Sequence, residues 1–337
     1  MTPTLYNDLS LEKQVALQKE QAWDLEDDID WSQGVDLSKY FLPLDKESIA
    51  FPELNPTQRL ALSQLLGLVI NSTIGEMEGV IDRLRDVAWE ELLRRYPVNP
   101  EMRELGELFF AEEQKHARAF ARYIEVFCAS TGVPRQSLER LMPKSYGSHF
   151  LAAIRANARA GGFAFWWVVA GVEEVSIQVY QMMHKHEAKL DPLFFNVHRK
   201  HLEDEARHRG YAFLMLELAQ SSPGSLKERL VRKTDLMLAQ VMTAGWVLAE
   251  LHRIFDAAAL KDEHPFFKTI AECLPAIKKV GLFELGRRLF KSAPYISFVL
   301  NLHHQKQTAR FAKKYKIWHL PLPTPVIPRL FTDGVAP

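Results

Sequence analysis

His201, Glu205 and His208 repeat at intervals of four and three residues along the segment His201 to His208. On an α-helix they fall within an arc of about 60°, so a single face carries two imidazoles and a carboxylate. That face continues an apolar stripe through Leu193, Phe194 and Val197 and onward to Ala212 and Met215. Ionisable groups on a core-facing stripe need compensation for their lost hydration. Metal ions supply it, because neutral imidazole and ionised carboxylate are both good ligands for iron-like ions. One Glu-x-x-His alone is a common pattern on a solvated helix face. Here it occurs twice. Glu112-Glu113-Gln114-Lys115-His116 parallels Asp204-Glu205-Ala206-Arg207-His208, in the order acid, Glu, any residue, base, His. The copies lie 92 residues apart (205 minus 113), the separation expected of a duplicated helix pair whose halves face each other.

In the first copy the stripe reads Leu105, Phe109, Glu113, His116, Phe120, Tyr123, Phe127, an apolar and aromatic row interrupted by two ionisable residues. Glu112 lies one position off that row. It and Asp204 suit a supporting role, accepting a hydrogen bond from a ligating imidazole. A metal pair held by two Glu-x-x-His motifs in a bundle also needs one Glu from each of two further helices. Glu78 stands on the edge of the stripe Ile70, Ile74, Met77, Ile81, Leu84, Ala88, whereas Glu76 has polar neighbours and suits solvent. Glu173 and Glu174 are adjacent, and periodicity does not separate them. Spacing favours Glu174, because 174 minus 78 is 96, close to the 92 of the other pair.

The elements that must position these residues are helices. From Asn55 to about Tyr96, Asn99 to about Ser130, about His149 to His186, and Asp191 to near Ser221 run four long helical patterns. A fifth runs from Leu226 to about Leu260. Asn-Pro or Asp-Pro opens three of them, and Pro suits a first helical turn. Strand signals are almost absent. The expected fold is all-α, a four-helix bundle with additional N- and C-terminal helices and a site in its core. Residues 1–54 read as a covering segment with a short helix from Leu9 to Glu26. Residues 55–260 read as the bundle with its fifth helix, and 261–337 as basic helices and a Pro-rich tail packed upon it, one domain in all. His198 lies just before His201 and reads as packed or exposed, with a supporting role as the alternative. The basic amphipathic stretch Lys278 to Leu302 is expected to pack over the bundle, with docking of an acidic electron donor or a membrane surface as alternatives.

Composition narrows the class. The 337 residues carry 42 basic and 42 acidic side chains, which disfavours nucleic-acid binding through phosphate neutralisation. Cys128 and Cys273 share no close spacing, so no disulfide scaffold is expected and a reducing cytoplasm is the default. No basic and apolar leader opens the sequence, so no export signal is expected. The stretch Gly162 to Val172 is too short to span a bilayer, and no transmembrane segment is expected. Gly-x-Gly-x-x-Gly is absent, which disfavours a bound nicotinamide or flavin domain.

The order Glu78, Glu113-x-x-His116, Glu174, Glu205-x-x-His208 resembles the di-iron carboxylate pattern of the ferritin-like superfamily. His201, one turn before Glu205, narrows the resemblance to p-aminobenzoate N-oxygenase and related arylamine oxygenases, whose di-iron site carries a third histidine. The resemblance covers about residues 55–260. It implies Glu78, Glu113, Glu174 and Glu205 as carboxylate ligands and His116, His201 and His208 as imidazole ligands of two irons. A manganese–iron pair fits the same donors. It also implies that O2 is reduced to a bridging peroxide, which transfers an oxygen atom to a small organic substrate, an aryl or other amine. Electrons would come from an external ferredoxin or reductase, or peroxide would be used directly; a homodimer is compatible. Phe109, Phe120, Trp166, Trp167, Tyr180 and Phe194 are the aromatic candidates for a substrate pocket, with core packing as the plainer role for each. Two rival functions share the ligand set: a hydroxylase or desaturase acting on an aliphatic or acyl chain, and a ferroxidase or iron-storage protein.

Overall fold

Four long helices in two antiparallel pairs form the body of the protein, seen in a computed structural model that describes residues 9–43, 53–141, 148–280, 302 and 305–320. The described helices are α1 (Leu11–Glu20), α2 (Pro56–Arg83), α3 (Glu91–Arg95), α4 (Pro100–Thr131) and α5 (Arg135–Leu141). They continue with α6 (Ser148–Arg159), α7 (Ala164–His184), α8 (Pro192–Ser221), α9 (Leu226–Ala259), α10 (Pro265–Val280) and α11 (Lys306–Tyr315). Among the described residues there is no strand, only the isolated bridge Tyr40–Leu190. The all-α bundle is as the sequence predicts.

The long helices start where local chemistry makes them start. Asn55 accepts from the backbone N–H of Gln58 while Gln58 reaches back to Asn55, and Pro56 occupies the first turn. Asn99 and Pro100 open α4 in the same manner, and Asp191 and Pro192 open α8. Ser225 and Glu228 close a capping box at α9. Gly132 ends α4 in the left-handed conformation, φ 73°.

Two predicted helices differ from the observed ones. Instead of running on to Tyr96, the first ends at Arg83 and continues through a wide π-type turn, Asp86–Glu90, into α3. Trp166 donates its indole N–H to the Ala88 carbonyl within that turn, at 3.0 Å. The pattern from His149 to His186 is two helices, α6 and α7, broken at Gly161-Gly162. Gly161 has φ 84°, a region that favours glycine. Asp235 of α9 holds the break: its carboxylate accepts from Asn157 Nδ2 (2.7 Å) and the Phe163 backbone N–H (2.6 Å). The N-terminal helix is also shorter than expected, Leu11–Glu20, and is followed by turns and a single 3-10 turn at Trp31–Gln33.

Packing pairs α2 with α4 and α7 with α8, and the α4–α8 contact joins the pairs. α1 lies on α4, α9 on α7, α10 on α9 and α2, and α11 on α7. Residues 9–43 are tied to the bundle. The backbone N–H groups of Phe41 and Leu42 both donate to Ser63 Oγ, and the Phe41 ring stacks on Phe194 at 5.1 Å. Gly67 permits this approach, since a Cβ there would come within 2.5 Å of Phe41 Cβ. α2 is long and apolar enough to cross a membrane by length and composition, a property the sequence reading did not assign to it. Its hydrophobic window is 67% buried against the other helices. The basic stretch Lys278 to Leu302 and the tail from Pro321 fall almost entirely outside the described residues.

Candidate metal centre

Four helices deliver the cluster: Glu78 from α2, Glu113 and His116 from α4, Glu173 from α7, and His201, Glu205 and His208 from α8. All seven are at most 3% exposed. Their donor atoms form three overlapping groups, each with all of its donors within 4.8 Å of one another: Glu78, His116, His201 and Glu205; Glu113, His116 and His208; Glu173, Glu205 and His208. Glu205, His116 and His208 are each shared between two groups, so the donors enclose one site large enough for more than one ion.

Unmet bonding capacity marks the interior of this site. Glu78 Oε2, both oxygens of Glu113, both of Glu205, and Nδ1 of His116 and His208 are buried without a hydrogen-bond partner. His201 Nε2 lies 2.7 Å from Glu205 Oε1, and His208 Nδ1 lies 2.8 Å from Glu113 Oε1. In both pairs the oxygen lacks hydrogen-bond alignment despite the short separation. Buried polar atoms are nearly always satisfied, so orphans gathered around one point fit a cation.

The outer faces of the histidines are satisfied, and crosswise. His116 donates Nε2–H to Asp204 Oδ2 of the opposite helix at 2.9 Å, and His208 donates Nε2–H to Glu112 Oε2 of its opposite helix at 2.8 Å. With Asp204 and Glu112 ionised, each carboxylate can only accept, which puts the ring proton on Nε2 and leaves the Nδ1 lone pair facing inward. The two bases of the repeated motif close the layer. Lys115 reaches Asp204 at 3.2 Å, and Arg207 binds Asp204 and lies 3.6 Å from Glu112. The N-terminal segment completes it: Trp23 Nε1 donates to Asp204 (2.7 Å) and Gln18 Nε2 to Glu112 (2.6 Å). The Trp23 ring lies parallel to His116 with centroids 6.0 Å apart, and the Lys115 ammonium sits 4.1 Å above the indole.

Burial dominates the electrostatics. It lowers His116 to about 4, helped by the neighbouring His201, and His201 to about 3; His208 falls well below its ordinary value. Burial raises Glu78 to about 8 and drives Glu173 well upward. Burial alone would raise Asp204, but the His116 hydrogen bond and the charges around it hold it below the usual carboxylate range. Neutral imidazoles are the form that binds metal. Around them stand seven buried carboxylates (Glu78, Glu112, Glu113, Glu173, Glu174, Asp204, Glu205) and three buried cations (Lys115, Arg207, Arg209). With all seven ionised, as metal binding would require, seven minus three leaves four negative charges, the number that two divalent ions neutralise.

Of the seven ligands expected from sequence, the structure brings six together and leaves Glu174 outside the cluster. Glu174 turns out of the bundle and accepts from Gln307 N (2.9 Å), Thr308 N (3.0 Å) and Thr308 Oγ1 (2.9 Å) at the start of α11. Glu173 takes the place in the cluster. Adjacent residues on a helix point about 100° apart, so one alone can face inward. Glu112 and Asp204 stand where expected, behind the histidines. Lys115, Arg207, Trp23 and Gln18 were not singled out by sequence; the bases were visible in the repeated motif, whereas Trp23 and Gln18 carry no periodic signal.

The aromatic candidates divide. Phe109 meets the His208 ring edge-on at 4.9 Å and Phe120 meets His201 at 5.0 Å. Trp167 packs on Phe311 of α11, half-buried Tyr180 stacks on His184 and Phe195, and Phe194 packs on Phe41 and Tyr123. Buried His198 bonds Asn71 at 2.8 Å, a packed role. A cavity of about 500 Å³ lies between α3, α6 and the start of α7, with Trp166 in its wall. Phe109, 5.8 Å from Trp166, stands between that wall and His208.

No curated protein and no solved structure matches the chain. Residues 10–251 match the family p-aminobenzoate N-oxygenase AurF, a stretch that contains all the clustered donors and both supporting acids. On that match, and with two buried Glu-x-x-His motifs facing each other in an all-α bundle, the chain belongs to the AurF family of di-iron N-oxygenases.

Proposed function

We propose that this protein holds two iron ions with Glu78, Glu113, His116, Glu173, His201, Glu205 and His208 and transfers oxygen from O2 to the nitrogen of a small amine. The observation that carries the reading is the convergence of orphaned inward donors with an excess of four negative charges once the carboxylates are ionised. When bound, the metals supply the reduction of dioxygen and the delivery of an oxygen atom. The chain's own residues do the rest. Asp204 and Glu112 fix the tautomers of His116 and His208, so both rings offer Nδ1 inward. His201, within 3.2 Å of Glu78 and 2.7 Å of Glu205, adds a third nitrogen donor. Phe109 and Phe120 press on His208 and His201 and exclude water from that side. Electrons come from an external one-electron carrier or a reductase, or enter as peroxide. Free cysteines at Cys128 and Cys273 suit a reducing compartment.

Anaerobic reconstitution with ferrous iron tests the reading. About two irons per chain are expected, followed by O2-dependent conversion of an aromatic amine to hydroxylamine or nitro product. Hydroxylated or desaturated acyl chains, with amines untouched, would replace the amine by an aliphatic substrate. Failure to retain iron would remove the proposal altogether.

A further inference from the structure

We infer that Glu174 is a positioning residue for the metal centre, and that α11 is the clamp it grips. The inference rests on the metal-binding role proposed for Glu173. The two acids are consecutive on α7, and the structure sends them to opposite tasks. Glu173 faces Glu205 and His208, while Glu174, 5% exposed, takes three hydrogen bonds from Gln307 and Thr308.

Gln305, at the N-terminal boundary of α11, makes no side-chain capping bond. A helix start leaves backbone N–H groups unsatisfied and carries partial positive charge. The Glu174 carboxylate, more than 130 residues earlier in the chain, meets both needs. Beyond this bond the clamp spans two helices: Phe311 packs on Trp167 of α7 (5.7 Å) and on Phe213 of α8 (5.3 Å). Thr308 and Ala312 are buried beneath it. Arg209, next to His208 on α8 and 6% exposed, makes no hydrogen bond or ion pair among the described residues. The charges acting on it are those of Glu174 and then Glu173. A cation beside both acids favours keeping the two carboxylates where they stand.

The rotation of α7 about its axis decides which acid faces inward. α11 pulls on Glu174 from outside while metals pull on Glu173 from inside, so each grip supports the other. Such coupling is reciprocal: what tightens metal binding also tightens α11.

Co²⁺, a divalent probe with a visible spectrum, tests this on the full-length chain. Wild type is expected to bind two Co²⁺, and binding to slow tryptic cleavage at Arg310, Lys313 and Lys314 several-fold. Glu174→Ala is expected to weaken one of the two Co²⁺ by about tenfold, within the usual range of coupling between sites, to alter the visible spectrum, and to abolish the metal-dependent protection. Glu174→Gln, whose amide oxygen still accepts from the helix start, is expected to restore much of both. Thr308→Val removes one of the three bonds and should fall between, and it serves if Glu174→Ala does not fold. Two Co²⁺ bound with unchanged protection of α11, or a Glu174→Ala protein with wild-type affinity and spectrum, overturns the inference and leaves the metal reading standing. A wild type that binds no Co²⁺ removes both.

Discussion

Glu173 and Glu174 show how much hangs on a single residue's direction. Removing the inward carboxylate by Glu173→Ala should lower bound metal from two ions toward one per chain, read by metal analysis after gel filtration. A second expectation concerns pH. His116 titrates near 4 in the fold against 6.5 ordinarily, so the unfolded chain binds more protons between those values. The metal-free protein therefore loses stability as pH falls from about 6.5 toward 4. Glu78 has the opposite sign: raised from 4.5 to about 8, it holds its proton in the fold, and stability is lost as pH rises through that window. Thermal unfolding of metal-free protein should accordingly peak between about pH 4.5 and 6.5. Divalent metal should displace the Glu78 proton, remove the loss on the alkaline side and move the optimum toward neutrality. A metal-free protein whose stability stays flat from pH 5 to 8 would contradict this. Much of the site was legible because its donors interrupt apolar stripes at helical spacing. Glu173 was not, because α7 is buried nearly all round and no polar face sets its phase. Its distance in sequence from Glu78 spans connectors and says nothing of rotation.

At the scale of elements, starts were legible and interruptions were not. Asn55-Pro56, Asn99-Pro100 and Asp191-Pro192 each mark a helix start, because the cap and the fixed Pro φ act locally. The break between α6 and α7 depends on Asp235, distant in sequence, which no local pattern announces. Asp235→Ala should cost about 1–3 kcal/mol, since it leaves the buried Phe163 N–H unpaired, and a lower urea midpoint would register it. Because α7 carries Glu173, that variant should also weaken metal binding; an unaltered metal affinity would mean that α7 keeps its position without the Asp235 joint. The sequence reads residues 1–54 as a covering segment, and residues 9–43 contact the bundle. That they bring Trp23 and Gln18 to the acids behind the histidines was not legible, since single contacts from irregular chain leave no periodicity.

For the molecule as a whole, the charge ledger makes metal part of the fold's stability. Each ion at a hundredfold excess over its Kd adds about 2.7 kcal/mol to the native state. Two such ions should raise Tm by roughly 5–10 °C for a chain of this size. Differential scanning calorimetry with and without ferrous iron under anaerobic conditions would measure it, and an unshifted Tm would refute it. The crossed bonds of His116 to Asp204 and His208 to Glu112 carry a further consequence. Neither repeat holds its own imidazole, so the duplicated units are obligate halves. Fragments cut between α5 and α6 should each be unable to retain iron alone, yet regain it when mixed, as a lock whose wards are divided between two keys.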